Sequence, residues 1–256
     1  MSDAHDSVVR RSFEHQTELF EGDDALFARL PGSPAAWVAP LDRAMIVLEV
    51  ACGPAHAAEQ LAPYVRQVVG LDVTPALLRL GAERLAGAGI ANVLLQEGNA
   101  AALPFVDASF DLVVCRSSVH HFPEPAGPLA EMSRVCRPGG RVVVADMVAP
   151  DAALQPAFDA LHRRIDPSHA HALLEDELIE LLRTTVGPVG RVERAEPFRL
   201  RLADILTDVA ERDAVVAALR GELDGGPATG FAPALEDEQL TVVFRSATVH
   251  AERPVA

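Results

Sequence analysis

From Ala44 onward, short apolar runs alternate with amphipathic stretches. Ala44–Val50 (AMIVLEV), Gln67–Asp72 (QVVGLD), Asn92–Glu97 (NVLLQE), Phe110–Cys115 (FDLVVC) and Arg141–Met147 (RVVVADM) read as strands. Between them, Ala55–Val65, Pro75–Ala86 and Pro125–Cys136 read as helices. Proline at the first position suits the second helix, and Arg137-Pro138-Gly139-Gly140 ends the third. The strand runs are apolar without alternation, the mark of strands buried on both faces. Repeated strand–helix units joined by short connections predict a doubly wound α/β sheet. Upstream, Ser7–Phe20 has helical periodicity and is followed by Pro31, Gly32, Pro34 and Pro40. Downstream, Ala153–Ile165, Leu173–Thr184 and Leu202–Leu223 read as helices, Gly190–Leu200 as extended and Gln239–Val249 as a last strand. The expected organisation is one domain over residues 1–256: an N-terminal helical lid (1–40), a ligand-binding core (44–150), lid helices (151–235) and a final strand (239–249).

Composition narrows the chemistry. The chain has 256 residues, 49% hydrophobic and 23% charged, which is globular rather than disordered. Net charge is −15, and the 22 basic residues are all arginine. A nucleic-acid partner is disfavoured because a phosphate backbone needs a basic face. The absence of lysine excludes Schiff-base chemistry and a Walker loop. Cys52, Cys115 and Cys136 are too few and too scattered for a disulfide framework or a zinc site. No apolar leader opens the sequence and no run is long enough to span a membrane, so a cytoplasmic setting is expected.

In open α/β sheets, ligands bind beyond the carboxyl ends of the strands. Glu49 and Asp72 end the first two strands there. A second-strand acid accepts hydrogen bonds from a ribose diol, but a dinucleotide site also needs G-x-G-x-x-G for its pyrophosphate. Here Gly53 stands without its companion glycines, and Glu49 would repel phosphate. The pair suits a ligand with a cation and a ribose but no phosphate, a description S-adenosylmethionine meets.

VLEVACGPA (Val47–Ala55), VVGLDVTPALL (Val68–Leu78), EGNAAALPFVDASFDLVVC (Glu97–Cys115), SSVHHF (Ser117–Phe122) and EMSRVCRPGGRVVVAD (Glu131–Asp146) follow one another in order. In this set the chain resembles the class I S-adenosylmethionine-dependent methyltransferases, in the branch of the ubiquinone/menaquinone C-methyltransferases and many natural-product methyltransferases. The resemblance implies a Rossmann-like, mostly parallel seven-stranded sheet with helices on both faces and an antiparallel C-terminal strand. It also implies methyl transfer to a small-molecule acceptor on oxygen or carbon.

By the same resemblance, Glu49 would hold the methionine end of the cofactor, beside Ala51 and Gly53. Asp72 would take the ribose hydroxyls, Val73 would lie on the adenine, and Asn99 with Ala100 would meet its amino group. Cys115 and Arg116 would line the cofactor through backbone groups near the sulfonium. His120 or His121 would be the general base, with Asp146 orienting it or a substrate hydroxyl. Phe13, Gln16 and His169 would face the acceptor. Ala51 and Ala55 stand where the family has glycine, and Asn99 where it has aspartate.

Plainer readings exist for each. His120 and His121 could cap the loop after the fourth strand; Phe13, Gln16 and Phe20 could be core; Cys52 and Cys115 could be small buried hydrophobes. His162, His169 and His171 match no metal-ligand spacing. Two rival functions are a cofactor-binding relative without methyl transfer and a nicotinamide-dependent dehydrogenase; the missing glycines oppose the second.

Overall fold

A computed structural model describes residues 3–15, 34–206 and 210–255. Its helices are α1 (Asp3–His15), α2 (Pro34–Trp37), α3 (His56–Leu61), α4 (Pro75–Gly87), α5 (Ala126–Val135), α6 (Gln155–Ile165), α7 (Glu175–Thr185), α8 (Leu202–Ile205) and α9 (Arg212–Leu223). The strands are β1 (Ile46–Val50), β2 (Gln67–Asp72), β3 (Val93–Glu97), β4 (Phe110–Arg116), β5 (Cys136–Val148), β6 (Val189–Arg194), β7 (Phe198–Arg201), β8 (Ala234–Glu236) and β9 (Gln239–Glu252).

The main sheet runs β3-β2-β1-β4-β5-β9-β6, with β7 and β8 also paired to β9. The first five strands are parallel, and β9 is antiparallel to its partners. Chain direction through the sheet reverses between β1 and β4, and the loops after those two strands open the crevice that holds the candidate site. Val47, Leu112, Val114 and Val143 pack on one face with Leu61 of α3 and Leu85 of α4. Leu48, Val50, Val113 and Val144 pack on the other with Leu129 and Met132 of α5 and Leu182 of α7. Fully burying one such side chain contributes roughly 1.5–3 kcal/mol, so the non-alternating runs are what holds the two layers to the sheet. A third apolar cluster joins Phe158 of α6, Val215 and Leu219 of α9, Phe231 and Phe244 under the start of β9. Among the described residues, no helix is long and apolar enough to cross a membrane.

The element pattern matches the sequence reading with local departures. The expected fifth strand at Arg141 begins already at Cys136, because Cys136 pairs with Phe110 across a register shift, the Gly139 N–H donates to the Arg253 carbonyl and the Gly140 carbonyl accepts the Arg253 N–H. The single extended stretch 190–200 is two strands separated at Glu196-Pro197, where proline has no N–H for the ladder. The expected helix Leu202–Leu223 is α8 and α9; residues 207–209 lie outside the described residues. Strand β8 has no sequence signal. Its tight hairpin to β9 places Asp237 and Glu238 at φ 49° and 64°, a turn announced elsewhere by asparagine or glycine. The N-terminal helix covers Asp3–His15, and Gln16 and Phe20 fall outside the described residues.

Candidate functional site

The loops after β1, β2, β3 and β4, together with Val9 and Phe13 of α1, line one pocket that opens to solvent. Glu49, Ala51, Gly53, Asp72, Val73, Asn99, Ala100 and Arg116 all line it. The strand-end acids therefore share one crevice, as the sequence expectation required.

Glu49 is 3% exposed at the end of β1. Its Oε2 accepts the Ala58 N–H of α3 at 2.7 Å. Burial pushes its carboxyl up to about 7, against the opposing pull of the Arg116 guanidinium and the Ala58 N–H. Burial also pushes Asp72 up, while N–H bonds from Gly53 and Thr74, each 2.8 Å, act the other way. A buried carboxylate is costly unless bonded or paired, and these N–H bonds, with Arg116 near Glu49, offset part of that cost. Asn99 Oδ1 accepts the Ala101 N–H at 2.8 Å, which shapes the loop after β3 as an Asx turn.

The loop after β1 carries three left-handed residues: Ala51 (φ 54°), Gly53 (φ 54°) and Ala55 (φ 60°). For a non-glycine residue this region costs about 1–2 kcal/mol. The Ala55 methyl is fully buried in the core, whereas Ala51 is half-buried at the pocket wall. Ala51→Gly is thus expected to raise stability by about 0.5–1 kcal/mol in urea denaturation, and Ala55→Gly to raise it less because the buried methyl is lost.

The candidate base splits in two. Asp146, 2% exposed on β5, accepts N–H bonds from Ser118 (3.1 Å), Val119 (2.5 Å), His120 (3.2 Å) and Met147 (2.6 Å). The first three reach Oδ2; the Met147 N–H reaches Oδ1, to which His120 Nδ1 also donates at 2.5 Å. Burial alone would raise the Asp146 carboxyl, but His120 beside it and these bonds hold it below the usual carboxylate value. With a proton on Nδ1, His120 keeps a lone pair on Nε2. His120 and Asp146 do not line the pocket; His121 does. Its ring meets His120 at 4.0 Å and Phe13 edge-on at 5.2 Å. Burial, then the neighbouring His120, push His121 down to about 3, so it stays neutral.

Helix α1 closes this end. Val9 and Phe13 line the pocket, His5 Nε2 donates to the His121 carbonyl at 2.7 Å, and Ser12 Oγ donates to Asp166 at 3.1 Å.

Cys115 turns its side chain into the core, fully buried and paired in register with Val50, while its strand neighbour Arg116 lines the pocket. One sequence expectation is corrected: His169 does not face the pocket. Its side chain is fully enclosed, donating from Nε2 to Asp159 at 2.8 Å and stacking on His162 at 4.0 Å. Ser117, Ser118, Thr74, His56 and Phe122 line the pocket without having been singled out in sequence. Their strand-end positions were the available signal.

The site thus joins a doubly wound sheet to a crevice with two strand-end acids, Glu49 and Asp72. Residues 48–144 match the family model described as a methyltransferase domain. An uncharacterized methyltransferase of Bacillus subtilis, YcgJ, is 36% identical over 124 residues, 48% of this chain and 49% of the relative. A demethylmenaquinone methyltransferase of Deinococcus radiodurans is 40% identical over 120 residues, 46% of this chain and 48% of that protein. The chain thus spans about half the length of the curated relatives it matches. The crystal structure of YcgJ shares the fold at TM-score 0.75 and 23% identity, over 85% of this chain and 95% of that one. A Haemonchus contortus phosphoethanolamine N-methyltransferase in complex with S-adenosyl-L-methionine shares it at TM-score 0.64 and 17% identity, over 95% of this chain and 57% of that one.

Proposed function

We propose that this protein transfers the methyl group of S-adenosylmethionine to a small-molecule acceptor that loses a proton in the reaction. The observation that carries the reading is one crevice lined by Glu49, Asp72 and His121, with the His120 ring 4.0 Å from that of His121 and bonded to Asp146. Glu49 would hold the cationic methionine end, and the free lone pairs of Asp72 would accept the ribose hydroxyls. Val73 and Leu77 give the apolar wall for the adenine. When bound, the cofactor supplies a methyl group already activated by a sulfonium.

The chain's part is then chiefly positioning, for which well-oriented groups contribute roughly 7–11 kcal/mol. Asp146 fixes the His120 tautomer and leaves Nε2 as a base; because His121 and not His120 lines the pocket, a proton from an acceptor hydroxyl would reach it by way of the pocket wall at His121, a contribution of about 10²–10⁴-fold. Neutral His121 borders the acceptor without adding charge. Phe13 and Phe122 offer ring faces to a cyclic or aromatic acceptor. The relatives named demethylmenaquinone methyltransferases favour a quinone-like one. Calorimetric titration with S-adenosylhomocysteine tests the reading: micromolar binding is expected, and no heat at millimolar ligand would overturn it.

A further inference from the structure

The pocket loop is odd in one respect. Its left-handed turns are built on Ala51 and Ala55, residues that leave such conformations unless their surroundings force them. The force comes from helix α4. Gly81 and Arg84 lie one turn apart on one face of α4. A methyl group placed on Gly81 would lie 2.8 Å from the Pro54 carbonyl oxygen, so the helix backbone rests on the loop. The same oxygen accepts a 2.6 Å bond from Arg84 Nη2. Arg84 Nε donates to Glu59 Oε2 at 2.6 Å, and Nη1 contacts His56 Nε2 at 3.3 Å. One planar guanidinium thus joins α4, the loop carbonyl between the two alanines, and the first turn of α3.

We infer that Arg84 is a positioning residue for cofactor binding: a strap that holds the 51–58 segment in its binding shape in place of flexible glycines. Arg84 does not line the pocket, so it acts through other groups. The N–H of Gly53, inside the strapped loop, bonds Asp72, and the N–H of Ala58, in the strapped turn, bonds Glu49. Loosening the strap frees both carboxylates from the backbone that aims them. Only arginine's rigid fork reaches Pro54 and Glu59 together, so lysine does not replace it. This inference rests on the proposed S-adenosylmethionine pocket.

The test compares Arg84→Gln, Arg84→Lys and Glu59→Gln with the unmodified protein. Two readouts are used: calorimetric S-adenosylhomocysteine affinity, and hydrogen exchange of ligand-free protein followed by mass spectrometry. Losing the Arg84 bonds to Pro54 and Glu59 is expected to weaken binding roughly tenfold or more in Arg84→Gln, with Arg84→Lys nearly as weak and Glu59→Gln, which keeps the Pro54 bond, less affected. Amides of 51–58 are expected to exchange at least about tenfold faster, while β5 and β9 keep their rates. Unchanged exchange at 51–58, uniform acceleration throughout the chain, or full restoration by lysine would each overturn the strap. If the unmodified protein binds no S-adenosylhomocysteine, the cofactor reading fails, and the exchange data still decide the strap.

Discussion

Glu49→Gln is expected to abolish S-adenosylhomocysteine binding in calorimetry while making the ligand-free protein more stable at pH 8. Glutamine keeps an oxygen for the Ala58 N–H but cannot offset a cation in a buried pocket, where a lost charge pair costs about 3–5 kcal/mol, a factor of about a hundred to a few thousand. The stability effect follows from linkage. In the folded chain the carboxyl ionises at about 7, against 4.5 for an ordinary glutamate. Its neutral form favours the folded state fully below pH 4.5, and that contribution is lost as pH rises through 7, in total roughly 3 kcal/mol. Glu49→Gln removes the loss. The two proteins should unfold alike near pH 4, and the variant should gain several degrees in Tm at pH 8. In the unmodified protein, ligand affinity should fall as pH drops below 7, because binding a cation requires Glu49 to release its proton. Calorimetry in buffers of different ionisation enthalpy reads that proton directly. Tight binding by Glu49→Gln, or pH-independent affinity, would contradict the assignment.

Asp146→Asn is expected to be the most damaging conservative change, costing about 3–5 kcal/mol in urea denaturation. Five donors converge on this carboxylate: four backbone N–H groups and the His120 ring. An asparagine must turn its NH₂ toward some of them, leaving buried donors face to face. Either way His120 loses the anion that keeps its proton on Nδ1. If the amide donates to Nδ1, the proton moves to Nε2 and the base is gone. Long-range ¹⁵N correlation spectra of the histidine rings should show that tautomer change at His120. The sign with pH is opposite to that of Glu49. The Asp146 carboxyl is held below 3.8, so its contribution is present above that value and is lost as the pH falls below it. Acid denaturation of Asp146→Asn should accordingly be shallower. Retained stability and an unchanged His120 tautomer would remove Asp146 from the mechanism.

The order of strands and helices in the core, and the acids at the ends of β1 and β2, were legible in the chain because both are local. Apolar runs mark buried strands wherever they fall, and a strand's last residue faces the ligand edge of any such sheet. Segments after Val148 were less legible. Pro197 divides one extended run, and Asp237-Glu238 turns without a turn signature. What only tertiary structure decided was which neighbour each side chain meets. Cys115 and Arg116 are adjacent in sequence, but the pleat sends one into the core and the other to the pocket. His120 and His121 are equally adjacent, yet Asp146, 26 positions away, claims the first and leaves the second at the pocket wall. Arg84 gave no signal at all, because its value depends on a loop 30 positions earlier that packing against Gly81 brings within 2.6 Å. Local pattern selects the elements; long-range packing selects the partners, and the chemistry follows the partners.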